Sequence, residues 1–240
     1  MNKKILIIGA NSDISVEFVK LLNKKKNFFF ILSSKNINDL EKNYVFLNKK
    51  KLLQIDLTKP KYFHNFISRM DKDIDIVLSF AGYKEVFETN HLKIIKSNYL
   101  GLKFLINKFI NKNLFHKLKI IGCVTSILSD KKNYKDTSYS LSKYLLSQYL
   151  ISLTKLKFNN IIIKDFKIGI VKTKMNYNSK INKIISLNKK YVARKILSNL
   201  FNNKEIIYIS YIWKKIIEIY NIVPSKFVSV IDRLYKKIST

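Results

Sequence analysis

The chain is poor in the residues that cross-link, kink or hinge a polypeptide. Cysteine occurs once, as Cys123 in the apolar stretch "KIIGCVTS", so no internal disulfide can form. That excludes a secreted, disulfide-built scaffold and makes a reducing compartment the expected setting. Two prolines and five glycines in 240 residues leave no stretch that reads as a flexible linker. No internal repeat is visible, so a single domain over 1–240 is expected, with 205–240 forming a last strand and a tail. No apolar run reaches the roughly eighteen residues that a membrane-crossing helix needs. The opening "MNKKILIIGANSD" sets two lysines before an apolar run, as a signal peptide does, but the run is short and Asp13 and Glu17 follow it directly. A cytoplasmic protein is expected.

Acidic residues are scarce, 16 against 46 basic ones, giving a formal charge of +30 and a pI near 10.0. Such a balance suits nucleic acid, because neutralised phosphates supply most non-specific affinity. Arginine is almost missing, however, with only Arg69, Arg194 and Arg233, and base and phosphate recognition favours the planar guanidinium fork. The lysines are spread along the whole chain and form no arm or stripe. Nucleic acid is therefore not an expected partner, whereas anionic lipids, cofactors or substrates are compatible with the charge. The three histidines, His64, His91 and His116, are scattered and pair neither with one another nor with Cys123 at ligand spacing, so no metal site is expected.

What is present is apolar: 47% of residues, with 13% aromatic, enough for a sizeable core. Runs of strand length ("KILIIG", "FFFILS", "LLQID", "DIVLSFAG", "KIIGCVTS", "IIIKDFKIGIV", "IIYIS") alternate with segments of helical period at 13–24, 37–43, 60–70, 88–113, 137–158 and 181–202. Continuous apolar strands separated by amphipathic helices predict a parallel sheet covered on both faces, the three-layered, doubly wound α/β architecture.

The turns after these strands carry the chemistry. "GANSDIS", residues 9–15, leads from the first strand into a helix, whose unsatisfied amides would receive a dinucleotide pyrophosphate. Only Gly9 survives of the usual glycines, Asp13 and Ser15 standing where others are expected; a plain turn with Asn11, Ser12 or Asp13 as helix cap is the alternative. The second strand ends in "ILSSKN". A carboxylate there would bind a ribose 2′-hydroxyl and repel a 2′-phosphate, but Ser33 and Ser34 are neutral and Lys35 is basic, which favours NADP(H) over NAD(H). In "QIDLT", Asp56 suits either the adenine amino group or a cap for the helix opening near Pro60. "SFAG", 79–82, closes the fourth strand with the small pair Ala81 and Gly82, over which a cofactor can approach. "YSLSK" sets a phenol, Tyr139, four residues before an amine, Lys143, on one helix face. A free tyrosine has a pKa of about 10, and a neighbouring cation lowers it toward the range useful for proton transfer.

In order and spacing these stretches resemble the short-chain dehydrogenase/reductase family over nearly the whole chain. The glycine-rich turn, "DLT", "SFAG", the asparagine of "KSNYLG", the serine of "CVTS", "YSLSK" and the late "IGIVKT" follow one another as the family's motifs do. Thirteen positions separate Ser126 from Tyr139. Departures are the lost glycines, Ser79 and Phe80 where asparagines are common, and Ile168 in place of proline.

The resemblance implies an NAD(P)-binding Rossmann-like fold and ketone/alcohol interconversion on a small-molecule carbonyl or alcohol substrate. It implies four catalytic residues: Tyr139 as proton donor, Lys143 on the nicotinamide ribose, Ser126 orienting the carbonyl, and Asn98 holding a water in a proton relay. It implies cofactor contacts from Gly9, Asn11, Ser12, Asp13, Ile14, Ser34, Lys35, Asp56, Leu57, Ala81, Gly82, Tyr139, Lys143, Gly169, Val171 and Thr173. It also implies a homodimer through the helices that carry Asn98 and Tyr139.

The tail, "IIYISYIWKKIIEIYNIVPSKFVSVIDRLYKK", sets Ile209, Ile212, Trp213, Ile216, Ile219, Tyr220 and Val223 at helical period. After Pro224, Phe227, Val230, Ile231 and Leu234 resume it among basic residues. It suits an anionic membrane surface or, as the alternative, a cover for the substrate pocket or a subunit interface. It also resembles the C-terminal region of reductases acting on lipid-linked sugars or sphingoid ketones. A sugar or lipid-linked substrate of cell-envelope synthesis is the expectation, with a 3-oxoacyl-thioester reductase or a non-catalytic cofactor-binding scaffold as alternatives.

Overall fold

The computed structural model describes residues 2–85, 89–111, 115–131, 137–156, 161–176 and 186–223. Seven strands, β1 (Lys3–Ile8), β2 (Phe28–Ser34), β3 (Lys50–Gln54), β4 (Ile76–Ser79), β5 (Ile120–Ser126), β6 (Ile162–Ile168) and β7 (Ile206–Tyr208), form one sheet in the order β3-β2-β1-β4-β5-β6-β7. Every pairing is parallel. Successive residues of β1 serve opposite faces. Ile5 and Ile7 pack with α1 (Asp13–Asn23), α2 (Ile37–Asn43) and the helix Lys189–Ser198, while Leu6 and Ile8 pack with α3 (Phe63–Ser68) and the helices Gly101–Ile110 and Ser138–Lys155. Both faces being covered, the central strands need no polar alternation and read as largely apolar runs, whereas β6 buries the charged Lys164, Asp165 and Lys167.

The expected architecture is therefore present, with local differences. The segment expected as one helix over 88–113 is α4 (His91–Ile95), a π-helical turn at Lys96–Leu100 and α5 (Gly101–Ile110). The helix Ser138–Lys155 is α6. The expectation for 181–202 narrows to α7 (Lys189–Ser198), positions 181–185 lying outside the described residues. β6 ends at Ile168 and not at Val171, which instead bridges Leu187. The tail begins as α8 (Tyr211–Ile222), and the readings for Pro224, Phe227, Val230, Ile231 and Leu234 fall outside the described residues. Among the described residues no helix is long and apolar enough to cross a membrane.

β1 lies between β2 and β4, so the chain leaves β1 in one direction across the sheet and returns in the other. A parallel sheet opens a crevice at such a reversal, outside the carboxyl ends of its strands.

Candidate active site

The crevice begins at the turn after β1. Gly9 has a φ of 73°, and a Cβ there would lie 2.6 Å from the backbone N and Cα of Ala81, so backbone meets backbone where β1 and β4 end. Asp13 and Ser15 are ordinary helical residues of α1 and need no glycine freedom. Ser15 is fully buried, and its hydroxyl lies 2.6 Å from the carbonyl of Ala10 and 2.7 Å from that of Ser12. The buried Tyr44 hydroxyl donates to the same Ala10 carbonyl at 2.6 Å, and burial pushes its pKa up. This two-hydroxyl support had no signal in the sequence beyond the apparent loss of a glycine.

Ser12 occupies the cap position of α1 without a side-chain hydrogen bond to it, so among the three proposed caps none closes the helix against a ligand. Asn11 instead donates to the Ser34 hydroxyl at 2.6 Å and the Asn36 carbonyl at 3.0 Å, joining the turn to the end of β2. Asp13 accepts from the Lys174 amide at 3.0 Å and lies 3.6 Å from the Lys189 ammonium, joining it to the segment after β6.

At the end of β2, Lys35 and Asp56 face each other at 3.5 Å. Asp56 is not the cap of the helix near Pro60, since that cap position is Lys59. Its carboxylate accepts from the Thr58 amide at 3.0 Å and hydroxyl at 2.6 Å, closing a tight turn two residues on. Burial works against the Asp56 charge, but the Thr58 bonds and the Lys35 ammonium outweigh it and hold the carboxyl below its ordinary range. Leu57 is buried and packs against Gly101, away from the main crevice.

The crevice itself has a volume near 350 Å³. Gly9, Asn11, Ser12, Asp13, Ile14, Ala81, Gly82, Ser126, Tyr139, Lys143, Gly169, Val171 and Thr173 line it, as expected, together with Phe80, Val124, Thr125, Ile168, Lys174 and Met175, which sequence reasoning did not select. Ser34 and Lys35 border an adjoining hollow that shares Asn11, and Asp56 a further one that shares Lys35. Ser126 ends β5, and its oxygen accepts from the Leu128 amide at 3.2 Å, which leaves the hydroxyl hydrogen for another acceptor. α6 opens on the Thr137 cap, whose hydroxyl accepts from the Ser140 amide, and its first turns carry Tyr139 and Lys143 into the crevice.

One expectation needs correction. Lys143 does not make the phenol acidic here: its ammonium lies 6.0 Å from the Tyr139 ring centre and donates to the carbonyls of Ala81 and Val124, each at 3.1 Å. Burial pushes Tyr139 up to about 12 and draws Lys143 down to about 8, the latter against an opposing pull from Cys123 and Asp165. Asn98, fully buried in the π-helical turn, does not line the crevice. Its Oδ1 accepts from the Tyr83 amide at 2.7 Å, and its Nδ2 spends both hydrogens on the Tyr83 carbonyl and the Ser142 hydroxyl, each at 2.9 Å. The Asn98 side chain thereby ties the π turn to the loop after β4 and to α6.

No protein-family model matches the sequence, and no curated protein matches it. Solved structures do. A short-chain dehydrogenase from Burkholderia cenocepacia in complex with NADP superposes with a TM-score of 0.76 over 100% of this chain and 98% of that one, at 16% identity. The chain has the short-chain dehydrogenase/reductase fold. A 4-hydroxyisoleucine dehydrogenase complexed with NADH matches at TM-score 0.73 and 21% identity, over 88% of this chain and 98% of the other. A variant of actinorhodin polyketide ketoreductase with NADPH matches at 0.71 and 15%, over 84% and 90%. A fold shared at such low identity rests on layer architecture and strand order; the residues in the crevice have to make their own case.

They fit a dinucleotide of that kind. The turn at Gly9 permits close backbone approach, the first turn of α1 is uncapped by side chains, and the hollow at Ser34 and Lys35 continues the crevice toward the edge of the sheet.

Proposed function

We propose that this protein is an NAD(P)(H)-dependent oxidoreductase that interconverts a ketone and an alcohol, with NADP(H) preferred. The observation that carries the reading is the convergence of Ser126, Tyr139 and Lys143 in one crevice that also contains the uncapped end of α1. A bound nicotinamide would supply or accept the hydride. Ser126 donates its free hydroxyl hydrogen to the substrate carbonyl. Tyr139, kept protonated by burial, gives its proton to the developing oxyanion. Lys143, fixed by two carbonyls, holds a positive charge beside the reacting centre. Gly9, Ser12, Asp13 and Ile14 would hold the pyrophosphate of such a cofactor, Ala81 and Gly82 its ribose, and Gly169, Val171 and Thr173 its nicotinamide.

Preference for NADP(H) is supported by Ser34 and Lys35, which place a cation and no carboxylate of β2 at its end, although that cation is shared with the Asp56 carboxylate 3.5 Å away. A ketoreductase and a dehydrogenase among the similar structures support carbonyl chemistry. A sugar or lipid-linked carbonyl compound is the substrate class we favour. α8 turns Ile212, Ile216, Ile219 and Ile222 outward, and these exposed side chains on so basic a chain suit contact with an anionic membrane surface. A homodimer through α5 and α6 is supported by the exposed Leu100 and Phe104 beside that helix pair.

Thermal unfolding with NADPH and with NADH tests the reading. NADPH is expected to raise the melting temperature more than NADH at equal concentration, and protection by neither would remove its foundation.

A further inference from the structure

The turn that carries Ser126 is held from behind by groups to which the oxidoreductase reading gives no task. After β5 comes a single 3-10 turn, Ile127–Asp130. Within it the Leu128 amide reaches the Ser126 hydroxyl and the Ser129 hydroxyl reaches the Ser126 carbonyl at 2.6 Å. So short a turn sets little of its own direction. Asp130 ties it to three other elements. One carboxylate oxygen pairs with Lys167 of β6, and the other accepts from the Tyr208 hydroxyl at the end of β7 at 2.7 Å. Its backbone carbonyl accepts from Asn221 of α8 at 2.7 Å.

Lys167 is 3% exposed and lies opposite Thr125 in the β5–β6 register, one residue from Ser126. Its other acid, Asp165, is 3.9 Å away and already bonded by the hydroxyls of Thr125 and Ser147. Burying such a pair adds little stability, because desolvation offsets attraction; what it imposes is direction. α8 reinforces that direction. Trp213 and Ile217 pack on Ile127, and the Trp213 indole lies so close to Gly169 that a Cβ there would be 2.2 Å from it.

We infer that Asp130 is a positioning residue which, held by Lys167, Tyr208 and Asn221, aims the Ser126 hydroxyl into the crevice and makes α8 a working part of the site. The role given to Ser126 rests on the proposed oxidoreductase function; the holding of the turn does not.

Tyr208→Phe and Asn221→Ala each remove one bond to Asp130 without stranding a buried charge, as Asp130→Asn would do to Lys167. In both variants the amides of 127–130 are expected to exchange with solvent on the order of tenfold faster. With diacetyl as carbonyl probe, kcat should fall roughly tenfold while the NADPH dissociation constant stays within about twofold, since misaiming one group costs rate and not cofactor affinity. Unchanged exchange at the Leu128 amide overturns the inference, and so does faster exchange with kcat intact. A wild-type chain that binds no nicotinamide cofactor sinks the oxidoreductase reading by itself, and the exchange measurement still decides whether Asp130 holds the turn.

Discussion

Tyr139 and Lys143 are the residues whose surroundings differ most from what their spacing suggests. Four positions apart on a helix they read as a cation lowering a phenol, yet Lys143 donates two of its three hydrogens to the carbonyls of Ala81 and Val124, and burial dominates both groups. The spacing was legible because it is local; the carbonyls come from the loop after β4 and from β5, 62 and 19 residues away in sequence, and were not. Tyr139→Phe is expected to lower turnover by about 10² or more while leaving NADPH affinity unchanged, and near-normal turnover would refute its role. For carbonyl reduction the proton on Tyr139 persists across the neutral range, so the alkaline limb belongs to Lys143. Its charge is lost as pH rises through about 8, and kcat/KM should decline there; a profile flat through that region would speak against Lys143. Gly9→Ala forces a Cβ to 2.6 Å from the Ala81 backbone at a φ of 73°. It should cost on the order of 1–3 kcal/mol of stability, read from the urea midpoint.

Among the elements, α1 and α8 show how far pattern reading extends. The missing glycines of "GANSDIS" look like erosion, but Ser15 and Tyr44 close the space with two hydroxyls on one carbonyl, a contact 34 positions apart that no local motif encodes. The π-helical turn at Lys96–Leu100 was likewise invisible, because one inserted residue leaves the apolar period almost unchanged while redirecting Asn98 beneath Tyr83. The amphipathic character of α8 was legible. Trp213 and Ile217 face the crevice wall, and Ile212, Ile216 and Ile219 face outward. If the outer stripe meets a membrane, Ile216→Ser with Ile219→Ser will lower co-sedimentation with anionic vesicles severalfold and leave NADPH binding unaltered. Equal sedimentation of the variant would dismiss that contact.

For the molecule as a whole, light scattering is expected to give twice the chain mass, with α5 and α6 at the interface; a monomeric mass would contradict it. The doubly wound sheet was determined by sequence alone, since strands buried on both faces are predominantly apolar and parallel neighbours must be joined by helices of matching period. Which strand ends would meet was implied by the resemblance of the motif order to the family. Pairings across those ends came only with the folded chain. Lys35 with Asp56, Asp13 with the Lys174 amide, and Asp130 with Lys167, Tyr208 and Asn221 join residues from different elements of the fold. Composition says that lysines are plentiful. Which carboxylate each one meets depends on distances of a few ångströms between segments far apart in the chain, and periodicity carries no information on that scale.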